Sequence, residues 1–133
     1  MAPEALRWLA IAKQDLKAVR NNIHGPEPAL DIAAYHCQQA AEKICKAALI
    51  TRGIDPPRWH DIDSLITLLV GGEPLAALLA PLAGLTPYSI AFRYPVPDPE
   101  ALPPVPTPEE LGRWLPVLED AWAAVAKAAR DSG

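Results

Sequence analysis

Residues 29–52 form the longest run without Gly or Pro, and their polar and apolar positions recur with a helical period rather than a strand period. At about 100° per residue, Ala33, Cys37, Ala40, Ala41, Ile44 and Ala48 fall on one side of the predicted helix. His36, Gln39, Lys43 and Lys46 fall on the other, flanked by Gln38 and Glu42. The apolar side is built from small residues, which lets neighbouring helices approach closely. Gly53 supplies the C-terminal stop. Periodicity alone makes the polar strip a solvated helix face, with a Glu42–Lys46 pair at i, i+4 contributing about 0.3–0.5 kcal/mol.

The same reading along the chain predicts four further elements. A first helix spans residues 3–22, with Trp8, Ala12, Leu16 and Val19 as its core stripe and Lys13, Lys17 and Arg20 as a basic ridge. Residues 25–28, Gly-Pro-Glu-Pro, break the chain before the long helix. Pro56 and Pro57 stiffen the connection that follows it, and residues 61–70 read as a short helix with Ile62, Leu65, Ile66 and Leu69 inward. Gly71 and Gly72 end that helix. A fourth helix, residues 75–85 followed by 86–92, should be bent or interrupted near Pro81 and Pro87. Six of the sixteen prolines lie in residues 95–106, which should form an extended strap. Thr107, Pro108 and Glu110 then open a last helix as a capping box, and Leu111, Leu115, Leu118, Trp122 and Val125 make one apolar seam. Pro116 is expected to kink it, with Gly112 leaving room for the ring. Trp114 lies beside the seam, placed to reach another subunit.

Composition narrows the picture. Half of the 133 residues are apolar, Ala and Leu dominate, and strand-forming runs are missing, so the class is all-α. The length suits one domain over residues 1–133. A net charge of −4 argues against coating nucleic acid by bulk electrostatics, while leaving room for a local basic groove. Cys37 and Cys45 are eight residues apart on one helix, about 12 Å along its axis, too far for a disulfide. Reduced thiols and a cytoplasmic location are expected, with no zinc site and no cofactor. The N-terminus has Glu4, Arg7 and Lys13 and no uninterrupted apolar core, unlike a secretory signal. The uncharged run 74–92 is broken by Pro81, Gly84 and Pro87, so it reads as buried bundle segments rather than a membrane span.

Several polar residues stand out. Asp15 projects among Trp8, Ile11, Ala12 and Val19, and a carboxylate in such company requires a cation or hydrogen-bond donor. His24 sits at a loop tip and reads as a surface residue. His60 and Asp61 precede the third helix, where capping is the expected role. No Gly-rich phosphate loop, nucleophile elbow or metal-ligand cluster occurs.

The string AYHCQQAAEKICKAAL, residues 34–49, resembles the signature helix of the HEPN family, small all-α domains of higher eukaryotes and prokaryotes. Residues 8–16, with their Asp15-Leu16 pair, resemble the family's first helix. Trp59-His60-Asp61-Ile62 is similar to its His-Asp-Leu opening of the third helix, and Phe92-Arg93-Tyr94-Pro95 to its Arg-Tyr-Pro close. The pieces come in order over most of the chain. The resemblance implies an antiparallel up-and-down bundle of four to five helices, like the substrate-binding subunits of nucleotidyltransferases. It also implies a homodimer and a small nucleotidyltransferase partner, in a toxin–antitoxin or related defence module that binds nucleotide or RNA.

Ribonuclease members of the family carry an Arg followed four to six residues later by His. Metal-independent RNA cleavage needs an acid or base for the 2′-hydroxyl and leaving oxygen, and a cation for the phosphorane. Arg93 stands at the matching place, but no His follows it. The candidate ligand-binding set is therefore His36, Gln39, Lys43, Lys46 and Arg93 with Asp15 and Tyr94, and His36 and Arg93 are the candidates for any catalysis. The same residues also admit a non-catalytic interaction module.

Overall fold

The computed structural model describes residues 3–69, 73–89 and 102–132. The first helix, α1, spans Pro3–His24 and buries Ala5, Leu9, Ala12, Leu16, Val19 and Ile23 at spacings of 4, 3, 4, 3 and 4. That spacing is a single stripe on a 3.6-residue helix, and each large side chain in it contributes about 1.5–3 kcal/mol by leaving water. It runs two residues past its expected end. Gly25 N–H then donates to Asn21 O at 3.0 Å, and a Cβ at Gly25 would lie 2.5 Å from that oxygen, so only glycine fits the turn.

The second helix, α2, spans Leu30–Thr51 and is the centre of the molecule. It contacts α1 on one side, the last helix on another, and the short elements of the middle region on a third. Ala33, Cys37, Ala40, Ala41, Ile44 and Ala48 are all buried, as the periodicity predicts. So are Ala34, Cys45, Ala47 and Leu49, and also Gln38, Glu42 and Lys46. The solvated-face reading of the polar strip therefore fails for these three polar residues. Gly53, with φ 76°, closes the helix, and Ile54 N–H folds back to Leu49 O at 2.9 Å.

The third helix is shorter than its pattern, Ile62–Ile66, and continues as turns that still direct Leu69 inward. The fourth, α4, covers only Pro74–Leu79, with the Glu73 carboxylate accepting from Leu75 N–H at its start. From Ala80 to Tyr88 the chain is a 3₁₀ helix. Pro81 and Pro87 have no N–H to donate, so the α-helix is interrupted before Pro81, as expected, and a tighter winding replaces it. Leu75, Leu79, Leu82 and Leu85 are buried, so the uncharged run enters the core. The strap's residues 102–106 carry no regular structure; its earlier part and residues 90–92 lie outside the described residues.

The last helix, α5, spans Pro108–Asp131 and opens with the expected capping box. Thr107 Oγ1 accepts from Glu110 N–H at 3.1 Å, and Glu110 Oε1 accepts from Thr107 N–H at 3.4 Å. The helix is unbroken through Pro116, and a Cβ at Gly112 would meet nothing within 4 Å, so this glycine is not what accommodates the ring. Trp114 rests on the 3₁₀ segment, its ring 3.5 Å from where a Gly84 Cβ would lie. Trp122 donates its indole N–H to Leu9 O at 2.8 Å, with the Lys13 ammonium 4.7 Å from its ring centroid. Together with Arg20–Glu119 at 3.6 Å, these contacts fix α5 antiparallel to α1. Every regular element among the described residues is helical, and the architecture is an antiparallel bundle.

Candidate functional site

Two charged groups grow from the polar side of α2. His36 and Lys43 are seven residues apart, two helical turns, and both reach across to α1. There Asp15, 7% exposed, takes one donor on each carboxylate oxygen. His36 Nδ1 lies 2.9 Å from Oδ1, and Lys43 Nζ donates to Oδ2 at 2.6 Å. The partners that the apolar setting of Asp15 demanded are a lysine cation and an imidazole.

The second group is deeper. Gln38, Glu42 and Lys46 recur at four-residue intervals, and their exposures are 0%, 5% and 6%. Glu42 Oε2 accepts from Lys46 Nζ at 3.4 Å, while Oε1 accepts from Gln38 Nε2 at 3.3 Å and faces His60 Nδ1 at 2.9 Å. Lys46 Nζ also stands 5.5 Å from the Trp8 ring centroid. Gln39 Nε2 donates to Gln38 Oε1 at 2.7 Å, which ties an outer member of the row to the buried group. Burial places the Cys45 thiol beside this group, and desolvation, followed by the Glu42 charge, pushes its pKa up to about 12. The Cys37 thiol is raised to about 12 by desolvation alone. Tyr88 is also raised, by burial first and then by Glu110 and Cys37.

The charges largely balance inside. Asp15 with Lys43 and Glu42 with Lys46 form two neutral pairs, so neither ammonium is an uncommitted cation. What faces outward is imidazole. Both His36 and His60 have Nδ1 on a buried carboxylate, and neither Nε2 has a protein partner among the described residues. A neutral ring that donates through Nδ1 leaves Nε2 as a proton acceptor, and a protonated ring presents a donor.

Of the residues singled out in the sequence, the fold thus joins Asp15, His36 and Lys43. It places Lys46 in the neighbouring group and Gln39 at its edge; Arg93 and Tyr94 lie outside the described residues. His60 is not a cap, because its ring turns to Glu42. Asp61 occupies the N-cap position of the third helix, but its carboxylate accepts the Ser64 hydroxyl at 2.5 Å rather than a backbone N–H. His60, Glu42 and Gln38 are the members that periodicity missed, since a wheel cannot show that the connector after α2 folds over them. The one available signal was the Trp59-His60-Asp61 run. Among the described residues no group of three or more His, Cys, Asp or Glu side chains is placed to hold a metal ion.

The family model of the HEPN domain matches residues 5–128. The chain belongs to the HEPN family. Two solved structures share the HEPN fold seen here. TT1696 from Thermus thermophilus is 22% identical, with 96% of this chain and 99% of that chain covered and a TM-score of 0.67. ST0689, described as an archaeal HEPN homologue, is 21% identical, covering 94% of this chain and 97% of its own, with a TM-score of 0.62. No curated protein matches this HEPN chain. Among its described residues no helix is long and apolar enough to cross a membrane.

Proposed function

We propose that this HEPN protein binds nucleotide or RNA as a homodimeric component of a two-component module, its partner a small nucleotidyltransferase in a toxin–antitoxin or related defence setting. One observation carries the binding half of this reading: His36 and His60 are both held through Nδ1 at 2.9 Å by buried carboxylates, with Nε2 unpartnered among the described residues. Burying Asp15 and Glu42 is costly, and a merely solvated helix face has no use for carboxylates that orient imidazoles outward. Oriented imidazoles suit phosphate and ribose hydroxyls. Family membership supports the partner and the dimer.

Calorimetric titration with nucleotides and short single-stranded RNA tests the binding half. Binding that weakens in His36→Gln is the expected outcome, and no heat with either class of ligand removes the reading. An adjacent reading frame for a small nucleotidyltransferase, and co-elution of its product with this chain, tests the partner. Light scattering tests the dimer; a monomer at micromolar concentration argues against it.

The Asp15–His36 pair favours a second reading, a metal-independent ribonuclease with a variant site. A carboxylate that fixes the imidazole tautomer is the arrangement that makes Nε2 a general base for a 2′-hydroxyl. In this reading Arg93 supplies the cation for the phosphorane. Labelled RNA incubated with the protein in chelator decides: cleavage abolished by His36→Ala and by Arg93→Ala supports the enzyme, and intact RNA leaves the binder.

A further inference from the structure

Beside His60, the connector between α2 and the third helix carries chemistry that the polar row does not use. Arg58, Trp59, His60, Asp61 and Ser64 line an open pocket of about 420 Å³, within the roughly 300–1,000 Å³ of small-molecule sites. Its wall is well held. Pro56 and Pro57 restrict the approach to it, and His60 is anchored to the α2 network both by its ring and by its carbonyl, which accepts from Gln38 Nε2 at 3.4 Å. Asp61 accepts the Ser64 hydroxyl on one oxygen and the Thr86 hydroxyl, at 3.5 Å, on the other.

Two side chains on this wall are left largely open to solvent. The Trp59 indole, a group that folding normally buries, is left 46% exposed. Arg58 is exposed, and among the described residues its guanidinium has no ion-pair or hydrogen-bond partner. Both lie at the end of a proline-stiffened segment, so presenting them costs little ordering entropy on binding.

We propose that this pocket binds a ribonucleotide unit, with the base on Trp59, the ribose hydroxyls towards Asp61 and the phosphate on Arg58. The inference rests on the nucleotide- or RNA-binding reading above and deepens it around His60, one of the two imidazoles that carry that reading. The combination of residues is what selects the ligand. An exposed indole offers a stacking face to any base, a carboxylate accepts from a diol, and a guanidinium forks onto phosphate oxygens. Inorganic phosphate uses only Arg58 and is repelled by Asp61. An apolar peptide uses only Trp59 and leaves both charges desolvated. The unit can be a free 5′-mononucleotide or the 3′ end of an RNA strand, since both present a base, a 2′,3′-diol and a 5′-linked phosphate.

The full-length protein is titrated with 5′-AMP, with 2′,3′-dideoxy-AMP, with a 5′-phosphorylated oligoadenylate and with inorganic phosphate, following indole fluorescence and heat. AMP is expected to quench the fluorescence, to bind more tightly than its dideoxy analogue and to bind far more tightly than phosphate. Trp59→Leu is expected to weaken AMP binding by roughly 5- to 100-fold, and Arg58→Gln by about 10-fold or more. Both side chains are exposed, so both variants keep the fold. Oligoadenylate binding tighter than AMP assigns the strand end as the occupant, and equal binding assigns the free nucleotide. Nucleotide binding unchanged in both variants but weakened in His36→Gln overturns the pocket and leaves the parent reading standing. Phosphate binding as tight as AMP also overturns the pocket, and no binding of any of them overturns both.

Discussion

Asp15 lies at the interface of α1 and α2 with a lysine on one oxygen and an imidazole on the other, and removing it strands both donors in a poorly solvated setting. Breaking a buried pair by deleting one partner costs far more than the pair's net stabilisation, because the orphaned charge is left without solvent. Asp15→Ala should therefore lower the unfolding free energy by about 3 kcal/mol, read from urea denaturation at neutral pH. The double variant Asp15→Leu/Lys43→Met, which removes both charges of that pair, should recover much of the loss. The cysteines behave differently. With pKa values near 12, both thiols stay protonated at neutral pH, so iodoacetamide should label neither in the native protein and both in denaturant. A raised folded-state value contributes stability below the unfolded value of 9.0, and that stability fades as pH climbs towards about 12. The midpoint of thermal unfolding should accordingly fall above pH 9, and it should fall less in Cys37→Ala/Cys45→Ala. The need of Asp15 for a cation was readable from its apolar neighbours on α1. Which residues would meet it was not, because His36 and Lys43 come 21 and 28 positions later and only the α1–α2 packing brings them together.

At the scale of elements, α1, α2 and α5 follow the hydrophobic pattern almost to their ends, since each has an unbroken 3.6-residue period and a recognisable start or stop. The capping box of α5 is the firmest of these signals. Thr107→Ala removes its acceptor for Glu110 N–H and should cost about 1 kcal/mol, seen as a lower thermal midpoint. Glycine at the same position should cost only a few tenths. The middle of the chain was less readable. Prolines 81 and 87 marked a bend or an interruption of the helix, but they did not say that a 3₁₀ helix would follow, because that depends on Leu82 and Leu85 finding the core. The same limit applies to Gln38 and Glu42. On a helical wheel they border the polar strip, and in the fold the connector of residues 52–61 bonds to both through His60, while Lys46 is covered beside the Trp8 ring.

Across the whole molecule, α2 serves as both core and candidate site. One side of it is packed with small side chains against α1 and α5, and the other orients two imidazoles through two buried carboxylates. The lysines of the row are committed to internal pairs, so on the proposed reading recognition falls to neutral or protonatable rings and to Arg58. The chain contains three histidines, and His24, exposed at the end of α1, is a built-in control. The most direct measurement is therefore long-range ¹H–¹⁵N correlation NMR of the three rings during titration with AMP and with short single-stranded RNA. In the free protein His36 and His60 should show a protonated Nδ1, and on titration their Nε2 resonances should move while those of His24 stay fixed. Rings of His36 and His60 that show no preference for a protonated Nδ1 in the free protein and do not respond to either ligand would contradict the account.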